Sequence, residues 1–286
     1  MLGLAIVVLV VFRMQREWAE AHGEKFDIPG ALSYVISLIL IMIGTSRLPG
    51  TVAIALVALG AVGLAVFVFW ERKSEKPLLD VSIFVQNKVF AYSNAAALIN
   101  YAATYALTFL LSLYLQYVKA LDPQTAGLIL VAQPIMMTLF SPLAGRLSDS
   151  IEPRIVASVG MGIICVSLAL LAMADTQTSI VLITIYLLVL GFGFALFSSP
   201  NTNAIVSSVD KHMYGVASAM VGTMRLTGQM LSMGIVLLTF AVIMGRVQIT
   251  PDYYPKFVQS MQVAFAVFSL LCAIGVYASL KRGKVR

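Results

Sequence analysis

The chain has 286 residues, of which 60% are hydrophobic and 11% charged, and its mean hydropathy is +0.93. Soluble domains carry about 25% charged residues, so a soluble globule, a disordered chain and a disulfide-stapled module are excluded. The formal charge is +6, but the basic residues lie between apolar runs instead of on one face. The partner is therefore the lipid bilayer and not nucleic acid, and the chain is read as an all-α integral membrane protein.

The opening run, residues 1–12, is too short to span. Its cations, Arg13 and Arg16, follow the apolar stretch, the reverse of a signal peptide. It reads as the end of a truncated transmembrane helix, followed by a loop over 13–28. A helix needs about 20 apolar residues to cross the hydrocarbon core, and eight segments meet that test. Residues 29–47 and 51–70 form a two-helix hairpin (29–70) joined by the short Arg47-Leu48-Pro49-Gly50 link. A polar linker covers 71–88. Six spans follow, at 89–118, 124–144, 155–174, 178–200, 213–244 and 257–280, making one six-helix unit over 89–280 with a tail at 281–286. Pro29, Pro123, Pro153 and Pro255 punctuate the boundaries.

Charge assigns the sides. Fourteen of the 19 basic residues fall in 13–28, 71–88, 145–154, 203–212 and 281–286. The opposite loops hold only Arg47, Lys119, Arg246 and Lys256. The positive-inside rule then makes the first set cytoplasmic. The expectation is a multi-pass protein of the cell membrane with a cytoplasmic carboxyl terminus.

Polar groups inside the spans are few. None of the 13 acidic residues lies within a span, so the chain alone offers no embedded acid for a proton relay. Arg225 lies about a dozen residues into its segment and shares a helical face with Ser218, Gly222, Gln229 and Ser232. It reads either as part of a water-filled path or as a structural arginine bonded to carbonyls at a helix break. Along 89–118, Asn94, Tyr101, Tyr105, Thr108, Ser112 and Gln116 fall on one side. A cavity wall is the preferred reading over an interhelical seam. Gln133-Pro134 and Ser141-Pro142 interrupt the next span; interrupted spans often contact substrate, although Pro142 reads as a packing kink. The substrate-pathway candidates are Asn94, Tyr101, Tyr105, Thr108, Gln116, Gln133 and Arg225.

Enzyme signatures are missing: no Gly-x-Ser-x-Gly, no Walker-type phosphate loop and no metal-spaced histidines. His22 and His212 sit in polar loops, and Cys165 and Cys272 in apolar runs. No cofactor and no metal are expected.

The segment Gly145-Arg146-Leu147-Ser148-Asp149-Ser150-Ile151-Glu152-Pro153-Arg154 resembles the Gly-x-Leu-x-Asp-Arg-x-Gly-Arg loop of the major facilitator superfamily. Ser150 and Glu152 stand where the family often has Arg and Gly. The resemblance implies a conformational loop: Gly145 for helix approach, Asp149 to cap the next helix, Arg146 and Arg154 at the headgroups. Gly191-Phe-Gly-Phe-Ala-Leu-Phe-Ser-Ser-Pro200-Asn201-Thr-Asn203, Gly215-Val-Ala-Ser218 and Arg225-Leu-Thr-Gly228 are similar to late spans of the fourteen-span drug:proton antiporter branch. So is Leu113-Tyr114-Leu115-Gln116 with Thr125-Ala126-Gly127-Leu128. Gly191, Gly193, Pro200, Gly215, Ser218, Gly222 and Gly228 are the expected helix-packing positions. The resemblance implies efflux of a small-molecule substrate, amphipathic or cationic, with protons as the coupling ion. It places the antiporter motif and embedded acid in an amino-terminal half missing here, present in cis or in trans. A single metabolite or lipid as substrate, and a non-transporting remnant or subunit, are the alternatives.

Overall fold

The structure is a computed structural model that describes residues 27–47, 50–73, 82–245, 247 and 249–283. The truncated first helix, the 13–26 part of the first loop, residues 74–81 of the polar linker and the final three residues of the tail lie outside the described residues. Within the described residues every regular element is helical. Among the described residues, eight helical stretches are long and apolar enough to cross a membrane.

Helices α1 (Ile28–Ser46) and α2 (Thr51–Glu71) form the hairpin. Asp27 caps α1 by accepting from the Gly30 N–H at 3.0 Å, and its other oxygen accepts from the Trp70 indole at 3.2 Å. The hairpin ends are thereby tied together. Its two helices touch at glycine: a Cβ at Gly44 would meet Val57 N at 2.8 Å, and one at Gly60 would meet Ser37 O at 2.8 Å. Side chains elsewhere on the hairpin, such as Val52, Leu59 and Phe69, are exposed, as lipid-facing residues are.

A short helix, α3 (Ile83–Gln86), leads into α4 (Lys88–Leu113), whose last turn continues as a π-helical segment Tyr114–Val118. Next come α5 (Pro123–Leu130) and α6 (Ala132–Ser150), which together form one span broken at Val131. Pro134 explains the break, because it has no N–H to offer the carbonyl four residues back. Pro142 lies inside α6 without ending it. The sequence expectation that Ser141-Pro142 interrupts the span is corrected accordingly.

Helices α7 (Pro153–Leu171), α8 (Ile180–Ser207), α9 (Tyr214–Ile243) and α10 (Tyr254–Lys281) complete the six-span bundle. The core is the shared seam of α4, α7, α8 and α10, with Leu107, Leu110, Met161, Ile164, Leu187, Phe265 and Phe268 fully buried. Glycine sets the spacing of α7 and α8. A Cβ at Gly160 would lie 2.6 Å from Gly193 O, and one at Gly193 would lie 2.8 Å from Gly160 O. Small polar side chains lace α7 to α10: Ser158 Oγ donates to Ser279 Oγ at 2.8 Å, and Ser269 Oγ donates to Cys165 O at 3.0 Å.

Helix α8 runs seven residues past the expected end of its span at 200. Pro200 is buried within it. The polar Asn201 is also buried, donating to Ser93 O at 3.0 Å. A polar run that reads as a loop is absorbed because α4 supplies its partner.

At one end of the bundle, the Tyr114 hydroxyl donates to Asp175 O, Lys119 Nζ to Thr176 O and the Gln262 amide to Ala174 O. In the α7–α8 turn, Asp175 Oδ1 accepts from Gln177 N, Thr178 N and Thr178 Oγ1 at 2.8–2.9 Å. These bonds, the Thr178 hydroxyl first, hold its carboxyl below the ordinary aspartate range. A lowered folded-state pKa contributes stability above the unfolded-state value, and that contribution is lost as pH falls through the folded value. Amide-exchange protection at Gln177 and Thr178 is expected to disappear on acidification below about pH 4. Asp175→Asn should remove it already at neutral pH; protection unchanged in that variant would contradict the role of the carboxylate.

Candidate functional site

The polar stripe of α4 divides in space. Asn94 is 1% exposed and donates to its own Phe90 O at 2.9 Å. It is sealed inside the bundle, so the expectation that Asn94 lines a path is corrected. Tyr101 is half-buried, edge-on to Phe194 at 6.0 Å between ring centroids, and its Cβ lies where a side chain on Gly228 would fall. Tyr105 and Thr108 are exposed. Gln116 is half-buried and donates to Ser112 Oγ at 2.8 Å.

Helix α9 turns its polar face from open to closed along its length. Ser218 and Arg225 are exposed, Gly222 and Gln229 half-buried, and Ser232 fully buried. Ser232 Oγ accepts from Ala106 N at 3.0 Å, which pins α9 to α4. Arg225 makes none of the described hydrogen bonds or ion pairs. It lies about 17 Å along α9 at 1.5 Å per residue, and an arginine at such depth costs at least about 2.5 kcal/mol without partners or water.

Tyr105 and Gln229 meet in a cavity of about 330 Å³. Leu226, Met230 and Met233 of α9 line it, and Met42, Ile43 and Thr45 of α1 close it from the hairpin. Arg225 precedes one of these lining residues. Gln133 lies elsewhere, half-buried on α6, with its carbonyl against Gly191 of α8. The structure thus brings together Tyr105, Gln229 and the hairpin, while Gln116, Gln133 and Asn94 lie outside that cavity.

Two other expectations change. Helix α6 continues through Ser150, so Gly145, Arg146 and Asp149 are helical and the connection is only Ile151-Glu152. Asp149 does not cap α7; Glu152 occupies that position, without a side-chain capping bond. The nearest atom to a Cβ at Gly145 is Ser199 Oγ at 3.9 Å, an ordinary contact, so no close helix approach depends on it. Arg146 is exposed and Arg154 half-buried. The expected packing role of Gly215, Ser218 and Gly222 is also corrected. Nothing lies within 4 Å of a Cβ at either glycine, and Ser218 is exposed. Gly191, Gly193 and Gly228 do lie against backbone of neighbouring helices.

Sequence reasoning passed over three groups. Asn100 is fully buried, with neither amide atom hydrogen-bonded. Asn201 reads as a loop residue. Arg282 reads as a solvated tail residue but is fully buried, donating to Ser93 Oγ at 3.3 Å and Asn201 Oδ1 at 3.0 Å. No sequence signal separates Arg282 from its exposed neighbour Lys281.

The family model of the Major Facilitator Superfamily matches residues 26–233. The chain belongs to the Major Facilitator Superfamily. This major facilitator chain is 26% identical over 227 residues to the "Riboflavin transporter RibZ" of Clostridioides difficile, covering 78% of the chain and 49% of that relative. It is 25% identical over 229 residues to the "Multidrug resistance protein Stp" of Mycobacterium tuberculosis, 78% of the chain and 42% of the relative. To the "Lincomycin resistance protein LmrB" of Listeria monocytogenes it is 25% identical over 175 residues, 61% and 37% respectively. The chain spans about half the length of the curated relatives it matches. It is a multi-pass membrane protein from a family of transporters, not of enzymes.

Proposed function

We propose that the chain forms the carboxyl-terminal portion of a proton-coupled secondary carrier that exports amphipathic small molecules, cationic drugs among them, by alternating access. The inserted hairpin and the six-span bundle are its two units, and its carboxyl terminus faces the cytoplasm of a cell membrane. The observation carrying this reading is the exposed Arg225 one residue from Leu226 in the wall of the Tyr105–Gln229 cavity. Met42 from α1 and Met230 and Met233 from α9 give that cavity soft, adaptable walls, and Tyr105 and Gln229 add oriented polarity. Relatives named for drug resistance and for riboflavin transport support the substrate class. The carboxylate that couples protons and answers Arg225 is assigned to an amino-terminal half, joined to this chain or supplied beside it, because a two-sided pathway needs both halves.

The test is uptake of an amphipathic cationic dye into inverted vesicles under a proton gradient. Vesicles holding the chain together with an amino-terminal six-span half are expected to accumulate dye. Vesicles holding residues 1–286 alone are not. Gradient-driven uptake by the chain alone would overturn the assignment of proton coupling to the other half. Failure of the paired halves to move any of a panel of amphipathic dyes would overturn the transport reading.

A further inference from the structure

Opposite the Tyr114–Asp175 end, where α10 stops and α4 begins, lies a second and larger cavity of about 570 Å³. Its walls include Ser82 before α3, Asn87 and Lys88 at the start of α4, Ser208 and Asp210 after α8, and Arg282 after α10. Asn87 braces it by donating to Ser208 O at 2.6 Å. Arg282 is fully buried, and only its Nη1 is used, on Ser93 and Asn201; Nε and Nη2 have no hydrogen-bond partner. A buried charge with unmet donors is among the costlier arrangements a protein can hold. Burial pushes the guanidinium down to about 10, with Glu152 pulling in the opposite direction and Arg154 adding to the fall. It therefore stays protonated at neutral pH, so the donors need an acceptor.

The position of the cavity says what acceptor is at hand. Both α4 and α10 end there, which is the level of the lipid headgroups. Lys281 lies 5.2 Å from the centre of the Tyr277 ring, an arrangement suited to the interface. The adjoining α3 turns Val85 outward at 72% exposure while Ile83 and Phe84 pack inward. Two cations, Lys88 and Arg282, share the walls with one carboxylate, Asp210. Guanidinium geometry favours two-point contact with an oxyanion.

We propose that this cavity binds a phosphate-class oxyanion, carried on an anionic phospholipid or free in solution, through Arg282 with Lys88 at its mouth. Glu152 competes with that anion for the field of Arg282. The site does not depend on the transport reading, since binding is measured without a gradient or a second half.

The test uses the chain of residues 1–286 purified in neutral detergent. Thermal stabilisation and lipid retention in native mass spectrometry are read with phosphatidylglycerol, phosphatidylcholine or inorganic phosphate added. Stabilisation by phosphatidylglycerol but not by inorganic phosphate identifies a lipid headgroup; stabilisation by both, with phosphate displacing the lipid, identifies a free anion. Either outcome supports the site. Arg282→Gln is expected to weaken binding about tenfold or more, the loss of a charge-assisted contact, and Lys88→Ala to weaken it less. Glu152→Gln should tighten it. If Arg282→Gln does not fold, Lys88→Ala and Glu152→Gln decide with their opposite shifts. Equal retention of phosphatidylglycerol and phosphatidylcholine, or unchanged affinity in both of those variants, would overturn the proposal.

Discussion

Gly160→Val is expected to disrupt the six-span bundle. The first side-chain carbon would lie 2.6 Å from Gly193 O, 2.7 Å from Phe197 N and 2.8 Å from Leu196 C. All three are backbone atoms of α8 and cannot rotate away. Overpacking by side chains costs about 1–3 kcal/mol, and a clash with rigid backbone belongs at the upper end or above it. That is a large share of a stability of about 5–15 kcal/mol. The matched control is two residues away. Gly162 has nothing within 4 Å of a Cβ, so Gly162→Ala should gain helix propensity, up to about 1 kcal/mol. Thermal melting of both variants in detergent checks the pair. Equal midpoints for Gly160→Val and the parent would mean that α7 and α8 are not spaced by glycine.

The second large effect is on transport. Arg225→Ala is expected to abolish dye uptake by the paired halves, and Arg225→Lys to restore only part of it, because an ammonium cannot reproduce two-point contact. Loss of a charge-assisted bond corresponds to roughly tenfold or more. Stability separates this role from a structural one. Arg225 is exposed and makes none of the described bonds, so the alanine chain should melt at the same temperature as the parent or higher. A depressed midpoint together with wild-type uptake would make Arg225 structural and remove it from the path.

Much of the fold is legible in the sequence because the bilayer imposes a length and a polarity that composition reports directly. The hairpin, the broken span and the proline-marked starts of α1, α5 and α7 all follow from that constraint. What escaped is where a residue's partner lies far along the chain. Asn201 is polar and follows a proline, so it reads as the end of a span; its partners, Ser93 at 108 residues' separation and Arg282, make it helical interior. Arg282 escaped for the same reason. Helical periodicity put Asn94 and Tyr105 on one face, yet α4 is surrounded unevenly, and one is sealed while the other opens. Gly215 and Gly222 show the converse error: glycine signals close packing only where another backbone comes near, and composition does not reveal neighbours.

The bond between the Trp70 indole and Asp27 has a practical use. Indole emission depends on the hydrogen bonding and polarity around its N–H, and the chain has two tryptophans, Trp18 and Trp70. Replacing Trp18 with Phe leaves a single tryptophan, excited selectively over tyrosine at long wavelength, at the joint where the two ends of the hairpin meet. That joint can then be watched optically, in native lipid and in real time, with no added dye or spin label.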